Sequence, residues 1–534
     1  MDDSPESRRG PARRTHCAGI RALALVILLT ACASLPDVRY LREREFVPQD
    51  ASIVSVRGEL PAAKKHALLE RMADRVGQTD ILARHVAAEE AISGRPLVAG
   101  NKVILLADGP LTMRAMMEAI RGARHHVNLE TYIFEDDEVG RALADLLLRK
   151  KAEGVAVNLI YDSVGALGTP RPFFDRLRKA GIRVLEYNPV NPANARGDWE
   201  INQRDHRKLL VVDGRIAFTG GVNISKVYGK SALLKSRRNE PPPKDAKENA
   251  WRDTHMQIEG PVVADFQRLF LDTWQRETGE PLPDANFFPS LTAEGKALVR
   301  AIGSTPDKAD YAIYKTYISA FANADKTIHI TTAYFVPDRQ VVQAMADAAR
   351  RGVDVRVIFP SLSDVGMILY AGRSYYGELL DAGIHVYERK AYVLHAKTAV
   401  IDGVWSTIGS TNLDMRSFLH NDELNAVVLD VDFARRMEDL FVRDLQDSVE
   451  ITAGQWRGRG LKERVLEWAA RMLAYWLWTD APLRNVSIHR IANLPFVHPD
   501  TASFSLAGKK MMHSIDFDKA TQCTILRFLN VEPN

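Results

Sequence analysis

The chain carries one set of five residues twice, at the same spacing. His206 is followed by Lys208 and Asp213, and His395 is followed by Lys397 and Asp402 at the same distances. A glycine fourteen residues and an asparagine seventeen residues after each histidine complete the two sets: Gly220, Asn223, Gly409 and Asn412. Five residues in register are hard to reach by chance. The sequence therefore indicates an internal duplication.

Each copy of this motif reads as a strand and a hairpin. In HRKLLVVD and HAKTAVID the histidine and the lysine share one strand face, because side chains alternate along a strand. Each aspartate is followed by a glycine and then by a second apolar run, which predicts a hairpin. The small residues at its end let an anion approach backbone N–H groups. Imidazole, ammonium and amide groups from two copies suit a phosphodiester.

The duplication extends upstream into alternating strands and helices. VNLETYIF (127–134) resembles IHITTAYF (328–335), and GVAVNLIYD (154–162) resembles GVDVRVIFP (352–360). Helical patterns separate these apolar runs, which indicates an α/β fold. Copy one alone carries a charged, proline-containing insert at 231–250. We interpret this insert as a solvated loop, with a lid as the alternative.

These motifs resemble the phospholipase D superfamily, whose signature is H-x-K-x4-D followed by a G-G/S-x-x-N element. WRDTHMQIEGPVV (251–263), AYFVPDRQ (333–340) and the segment 394–428 resemble the cardiolipin synthase branch in particular. The resemblance covers about residues 95–450. It implies an α/β fold in which two duplicated phospholipase D-type sandwich domains form one pseudo-twofold active site.

The resemblance also implies a mechanism without metal or cofactor. One histidine would attack the phosphorus of a phospholipid, and the other would protonate the leaving alcohol and later deprotonate the acceptor. We assign His206 as the nucleophile and His395 as the acid and base, and the reverse order stays open. The predicted phosphate ligands are Lys208, Lys397, Asn223, Asn412 and, as an additional donor, Ser410. Asp213 and Asp402 complete the catalytic motifs, but strand parity predicts that they brace the structure or pair with a basic group.

Each catalytic histidine needs a carboxylate that fixes its tautomer. By position in the family, Glu423 in HNDELNAVV is the expected partner of His395, and Asp253 in WRDTH is the candidate for His206. The alternative for Glu423 is a surface carboxylate on a strand. No pair of histidines or cysteines around either motif has metal-ligand spacing, so we expect no metal site.

The N-terminus predicts export and lipid attachment. Five arginines precede the apolar run ALALVILLT (22–30), which is too short to span a bilayer but suits a signal peptide. Leu29 to Cys32 resembles a bacterial lipobox, which implies cleavage before Cys32 and lipid on its thiol; an ordinary small residue beside a short anchor is the alternative. Only Cys523 would accompany Cys32 after cleavage, so no internal disulfide framework is expected.

Five segments are predicted along the chain. They are a signal peptide (1–31), an N-terminal linker or extension (32–95), domain 1 (96–300), domain 2 (301–450) and a C-terminal extension (451–534). Within the last segment, 461–478 has leucine and tryptophan at helical spacing. Such a helix either lies on a membrane surface or packs on the catalytic domain.

Composition argues against a general polyanion binder. The formal charge of +3 falls to about +1 once five arginines and three acids of residues 1–31 are removed. We therefore expect no nucleic-acid partner. The expected partners are a membrane surface and phosphatidylglycerol, with phosphatidylethanolamine as a further candidate donor. Both half-sites lie in one chain, which predicts an active monomer.

The leading hypothesis is a phosphatidyltransferase that makes cardiolipin and glycerol from two phosphatidylglycerol molecules. The main alternative is a phospholipase D that hydrolyses the same intermediate to phosphatidic acid. A periplasmic nuclease and a noncatalytic envelope scaffold rank lower, because this chain carries both motifs intact. The expected location is the bacterial envelope, facing the periplasm, with the outer membrane favoured over the inner.

Overall fold

The computed structural model describes residues 35–43, 51–191, 202–230, 250–306 and 310–477. The predicted signal peptide, the lipobox cysteine Cys32, most of the charged insert and the chain beyond residue 477 lie outside these ranges. The fold is a mixed α/β structure.

The described residues of the predicted N-terminal linker or extension are folded. Its elements are α1 (Arg39–Arg42), β1 (Ile53–Ser55), β2 (Gly58–Glu59), α2 (Ala62–Val76), a π-helix (Ile81–His85) and α3 (Val86–Ser93). Apolar side chains such as Val38 and Ile81 belong to the hydrophobic core of the second copy. The buried carboxylate of Glu89 forms a salt bridge with Arg300 and accepts a hydrogen bond from Trp405. This segment is therefore part of the second copy's packing, as an extension would be and a linker would not.

The first copy consists of strands and helices between residues 97 and 278. Its strands are β3 (Leu97–Leu106), β4 (His126–Thr131), β5 (Ala156–Asp162), β6 (Arg183–Tyr187), β7 (Arg204–Asp205), β8 (Lys208–Val212), β9 (Ile216–Gly220), β10 (Trp251–Arg252) and β11 (His255–Glu259). Its helices are α4 (Gly109–Gly122), α5 (Glu138–Ala152), α6 (Arg171–Lys179), a short 3₁₀ turn (Lys226–Tyr228) and α7 (Val263–Thr278).

The second copy repeats this order from residue 297 onward. Its strands are β12 (Ala297–Ser304), β13 (Thr327–Thr332), β14 (Phe335–Val336), β15 (Asp354–Pro360), β16 (His385–Arg389), β17 (Val393–Leu394), β18 (Lys397–Ile401), β19 (Trp405–Gly409), β20 (Leu413–Asp414), β21 (Asn421–Leu429) and β22 (Ser448–Ile451). Its helices are α8 (Ala312–Asn323), α9 (Arg339–Arg350), α10 (Gly366–Arg373), α11 (Tyr376–Asp381), α12 (Met415–Leu419) and α13 (Val431–Gln446). The predicted domain boundary between residues 300 and 301 falls inside β12, which pairs with β21 of the second copy.

The strand order shows the pseudo-twofold relation. Copy one runs β6-β5-β4-β8-β9-β11-β3, and copy two runs β16-β15-β13-β18-β19-β21-β12. An antiparallel pair of β3 with β12 joins the two halves. In each half the three outer strands are parallel, and the motif strand lies antiparallel to the innermost of them. Lys208 and Lys397 therefore lie at the carboxyl ends of β4 and β13, opposite Thr131 and Thr332.

The helices begin where their sequence provides a cap. The side chain of Asp137 accepts hydrogen bonds from two backbone N–H groups at the start of α5, and Asp338 does the same for one at the start of α9. Helices α7 and α13 lie between the halves, where Phe266 and Phe433 belong to a core that both copies share. Apolar burial of this kind is the main source of the stability that holds the two halves together.

The C-terminal extension begins with α14 (Ala453–Arg457) and α15 (Leu461–Leu477). Helix α15 packs on the second copy: Arg471 lies over the ring of Tyr375 and forms a salt bridge with Glu378. Leu461 and Met472 stay exposed on its other side. Among the described residues, no helix combines the length and the hydropathy that crossing a bilayer requires.

Candidate active site

The two motif histidines are almost completely buried, each just before its strand. His206 is 8% exposed and His395 is 5% exposed. Both lysines are buried as well and donate to the carbonyl group of their own histidine, Lys208 to His206 at 2.5 Å and Lys397 to His395. The two motifs thus have the same local geometry in both copies.

A tyrosine ring covers each lysine. The ammonium of Lys208 lies 5.4 Å from the ring centre of Tyr132, and that of Lys397 lies 5.9 Å from the ring centre of Tyr334. The Tyr132 ring also contacts His206 edge-on at 5.0 Å. The two tyrosines do not occupy equivalent positions in the two copies. Thr131 and Thr332 are equivalent, since they pair with Lys208 and Lys397, but Tyr132 follows its threonine by one residue and Tyr334 by two. A comparison of the two copies by residue offset would therefore miss them.

Each histidine is held by a carboxylate from the other copy. Nδ1 of His206 lies 3.0 Å from Oε1 and 3.1 Å from Oε2 of Glu423. Nδ1 of His395 lies 2.7 Å from Oδ2 of Asp253. The sequence identified both acids, but the pairing we expected from it, Glu423 with His395 and Asp253 with His206, was wrong.

Two short parallel strand pairs explain this exchange. Strand β7, just before His206, pairs with the start of β21, just before Glu423, and the N–H of His206 donates to the carbonyl of Asp422 at 2.9 Å. Strand β10, just before Asp253, pairs with β17, just before His395. Each histidine is therefore fixed beside the acid of the opposite copy by backbone hydrogen bonds. This long-range pairing leaves no trace in sequence spacing.

Gly221 of the first copy and Ser410 of the second occupy equivalent positions. Gly221 lies against Asp253, and Ser410 lies against Glu423. The hydroxyl of Ser410 donates to Oε2 of Glu423, and Asn421 donates to Oε1 at 3.2 Å. At Gly221 a Cβ atom would lie 2.1 Å from Oδ1 of Asp253, so only glycine leaves room for that carboxylate. We expected Ser410 to bind phosphate, but its hydroxyl donates to the Glu423 carboxylate instead.

The two motif asparagines differ in how far their amides are already engaged. Oδ1 of Asn223 accepts from the backbone N–H of Ile133 at 3.2 Å, and Nδ2 donates to the hydroxyl of Tyr228 at 3.3 Å. Oδ1 of Asn412 is buried and has no hydrogen-bond partner among the described residues. An amide oxygen can only accept, so either asparagine would have to bind a phosphate oxygen through Nδ2, and Nδ2 of Asn223 already donates to Tyr228.

Tyr228 makes the surroundings of the two histidines unequal. Its hydroxyl lies 3.2 Å from Nδ1 of His395, and the ring of Trp251 lies 5.1 Å from the same imidazole. Tyr228 lies in the 3₁₀ turn after the first motif, and the capping hydroxyl of Ser225 accepts a backbone hydrogen bond there. The sequence analysis missed this residue because no counterpart follows the second motif, where Ser417 stands at the same offset.

Asp213 and Asp402 lie in the hairpin turns and bind backbone groups. Both adopt a positive φ of 52°. The Asp213 carboxylate accepts from the N–H groups of residues 124–126 at 2.8 to 2.9 Å. That of Asp402 accepts from residues 325–327 at 2.8 to 3.0 Å and from the hydroxyl of Thr79. The pair braces the loops that lead into β4 and β13, as strand parity indicated, and neither pairs with a basic side chain through these contacts.

Comparison with known proteins agrees with this geometry. A family model described as "Cardiolipin synthase, PLD-like domain" matches residues 116–230 and 317–445. Cardiolipin synthase 2 of Bacillus cereus is 34% identical over 77% of this chain and 74% of its own length. The chain belongs to the cardiolipin synthase family. It is accordingly a phosphatidyltransferase of the phospholipase D superfamily.

A second relative and a solved structure extend the comparison. Cardiolipin synthase of Geobacillus thermodenitrificans is 32% identical over 80% of this chain and 79% of its own. The crystal structure of phosphatidylserine synthase from Haemophilus influenzae Rd KW20 covers 73% of this chain and 97% of its own, with 15% identity and a TM-score of 0.56. This likeness confirms the duplicated phospholipase D fold.

In this member of the cardiolipin synthase family, burial dominates the charge state of the site. Burial lowers the pKa of His206 to about 3, so its imidazole is neutral at pH 7. Burial alone would raise the pKa of Glu423, but His206, Lys208 and Ser410 lower it well below its usual range. A neutral imidazole beside an anionic carboxylate donates through Nδ1 and keeps the lone pair on Nε2. This is the tautomer a nucleophile or a general base requires.

The two lysines share one electrostatic environment. Burial lowers the pKa of Lys208 to about 7 and that of Lys397 to about 8, and the charge of Lys397 contributes to lowering the pKa of Lys208 and of His206. Two ammonium groups that oppose each other's protonation favour the binding of an anion between them, since its charge offsets the repulsion.

Proposed function

We propose that the protein forms cardiolipin by moving a phosphatidyl group from one phosphatidylglycerol molecule to another. The observation that carries this proposal is the pair of buried imidazoles, His206 and His395, each held through Nδ1 by an acid of the opposite copy. Two buried lysines beside them supply the positive charge that a phosphodiester needs. Family membership supports the choice of phosphatidylglycerol as donor and acceptor.

In the first half-reaction, Nε2 of His206 attacks the phosphorus of the donor lipid. The P–O bond to the headgroup glycerol breaks, and the protonated His395 gives its proton to that oxygen. A phosphatidyl group is then bound covalently to His206, and glycerol leaves. Lys208, Lys397 and Asn412 would bind the non-bridging oxygens, where negative charge builds up in the transition state.

In the second half-reaction, His395 acts as a base. It removes a proton from the headgroup hydroxyl of a second phosphatidylglycerol, whose oxygen attacks phosphorus and releases His206. Nδ1 of His395 would keep its proton in both the charged and the neutral form and donate it to Asp253, with the hydroxyl oxygen of Tyr228 beside the same N–H. Water in place of the second lipid would give phosphatidic acid, the product of a phospholipase D.

The deciding experiment is product analysis with purified protein and phosphatidylglycerol vesicles. Mass spectrometry should find cardiolipin and glycerol in equal amounts, with the ratio of cardiolipin to phosphatidic acid rising with the phosphatidylglycerol fraction. Phosphatidic acid as the dominant product at every lipid fraction would replace the synthase by a hydrolase. An acid-quenched reaction should leave a phosphorylated peptide that contains His206; an adduct on His395 would reverse the assigned roles.

The proposed setting is the bacterial envelope, with an active monomer held at a membrane by lipid on Cys32. The lipobox-like sequence before Cys32 supports the anchor, and two half-sites in one chain support the monomer. Labelled palmitate should enter the wild type and not the Cys32→Ser variant, in which the precursor should also stay unprocessed. Equal labelling of both proteins would rule out this anchor.

A further inference from the structure

Three exposed leucines lie on three different segments that follow strands: Leu111 in the first turn of α4, and Leu167 and Leu362 in loops. Leu111, Leu167 and Leu362 are 42%, 65% and 39% exposed. They follow β3, β5 and β15, at the edge of the fold where the motif histidines lie. We define these three side chains as the apolar rim.

A residue two positions from each leucine lies against a tyrosine of the site. A Cβ atom on Gly165, two residues before Leu167, would lie 2.0 Å from the carbonyl oxygen of Tyr132, which shows how tightly this loop packs there. Asp364, two residues after Leu362, accepts a hydrogen bond from the hydroxyl of Tyr334. The rim therefore borders both copies' half-sites.

The third leucine has the same relation to Tyr228. A Cβ atom on Gly109, two residues before Leu111, would lie 2.1 Å from the carbonyl oxygen of Tyr228, whose hydroxyl reaches His395. All three segments thus combine a contact to a site tyrosine with a leucine that is partly exposed to solvent.

Exposed cations accompany the rim. Arg114 lies one helical turn after Leu111, Arg171 lies four residues after Leu167, and Lys230 lies two residues after Tyr228. None of the three forms a salt bridge within the part of the chain that the structure describes. Acids lie at this edge as well: Asp364, which accepts from Tyr334, and the exposed Glu135 and Glu138, which follow β4. Apolar side chains among cations are typical of proteins that bind phospholipid surfaces.

We propose that the apolar rim docks on a phospholipid bilayer. Leu111, Leu167 and Leu362 enter the layer between headgroups and acyl chains, and the three cations lie over the phosphates. This inference rests on the proposed function, since it takes a membrane phospholipid as the substrate. Docking at the rim would bring the lipid phosphodiester to the buried histidines while the acyl chains stay in the bilayer.

The first test measures insertion at single positions and does not depend on catalysis. In the processed protein, where lipid blocks the thiol of Cys32, Cys523 is replaced by serine, and one cysteine is introduced for a fluorescent bimane label at position 111, 167 or 362. Vesicles of phosphatidylglycerol and phosphatidylcholine with brominated acyl chains should quench each label. Labels at Val56, Val442 and Val449, exposed apolar positions on other surfaces, serve as matched controls. Equal quenching at both sets, or none at the rim, would overturn the proposal.

The second test separates docking from chemistry. A triple Leu→Ser variant of the rim should turn over vesicle phosphatidylglycerol on the order of 100-fold more slowly, since each leucine loses its transfer into lipid. Its turnover of dihexanoyl phosphatidylglycerol, dispersed as monomers, should fall far less. The matched V56S/V442S/V449S variant should behave as wild type on both. Equal losses on the two substrates would contradict the rim. A wild type that forms no cardiolipin from either substrate would refute the proposed function, whereas the quenching result would still decide the docking.

Discussion

Glu423 accepts a hydrogen bond from Nδ1 of His206 across 217 positions of sequence, and it does so from the opposite copy of the duplication. We therefore expect Glu423→Gln to impair the step that His206 performs, although Glu423 belongs to the motif of His395. Loss of the anion should lower kcat by about 10³- to 10⁴-fold, as expected when an imidazole loses its orienting carboxylate. The check is the acid-quenched adduct on His206, which should be absent in E423Q.

The matched variant is Asp253→Asn, which should impair His395 instead. Its adduct on His206 should still form, slowly, with donors whose leaving alcohol is acidic enough to depart without a proton. If E423Q and D253N had these effects interchanged, the nucleophile would be His395.

Replacement of Gly221 by alanine should disturb the second histidine through its acid. The added Cβ would lie 2.1 Å from Oδ1 of Asp253, and the carboxylate must move away from His395 to make room. We expect kcat to fall by at least about tenfold, because displaced positioning groups commonly cost this much. Gly122→Ala is the control, since nothing lies within 4 Å of a Cβ atom there. A G221A enzyme with wild-type kinetics would mean that Asp253 does not position His395.

Ser410→Ala should shift the pH dependence of the reaction. Burial would raise the pKa of Glu423, and the Ser410 hydroxyl is one of the groups that lower it. Without that hydroxyl the pKa rises, so the carboxylate becomes protonated at a higher pH and activity is lost earlier as the pH falls. The acidic limb of kcat against pH should move upward in S410A while the alkaline limb stays in place. A uniform decrease with an unchanged profile would assign Ser410 a different role.

Asp402→Ala should destabilise the fold more than it changes the chemistry. Its carboxylate accepts three backbone hydrogen bonds before β13, and replacing it leaves those donors without a partner. We expect a loss of about 3 kcal/mol in the free energy of unfolding. Urea denaturation should show this loss, and Asp402→Asn should show a smaller one because it keeps an acceptor oxygen and tolerates the positive φ. Unchanged stability together with abolished kcat would indicate contact with the substrate.

His255 should make the protein acid-sensitive. Burial lowers its pKa to about 3, whereas the unfolded chain has the ordinary value near 6.5. Between these two pH values the unfolded state binds a proton that the folded state does not, so stability falls as the pH falls, by about 1.4 kcal/mol per pH unit. Thermal unfolding from pH 7.5 to 4.5 should therefore show a steeper fall for the wild type than for His255→Gln. Parallel curves for the two proteins would mean that His255 titrates normally in the fold.

Local pattern predicted the motifs and their strands well, because alternation and turn residues act within a few positions. The hairpins at Asp213 and Asp402 are where the sequence indicated, and the two Asp residues brace their loops. The exchange of acids between copies was not predictable, since it depends on β7 pairing with β21 and β10 with β17. Ser410 was misjudged for the same reason: its partner Glu423 is brought to it by strand pairing, not by a motif.

The packing of the N-terminal segment could not be predicted from its own sequence. Helix α1 has four residues, and α2 has Ala73 as its buried residue, so their position depends on contacts with the second copy. Tyr228 escaped notice because it has no repeat. Residues of this kind are found only once the fold shows which side chains meet.

The packing of the N-terminal segment on the second copy determines where the polypeptide enters the catalytic body. The N–H of Val38 donates to the side chain of Gln340 at 2.8 Å, and Gln340 in turn donates to the carbonyl of Pro36. Gln340 lies only six residues beyond Tyr334, whose ring borders Lys397 and His395. A membrane attachment upstream of residue 35 would therefore connect to the second copy, close to that copy's half-site. The length of the connecting segment would set how far the catalytic domains can move from the point of attachment. Shortening the segment would restrict the lipids that the active site can reach.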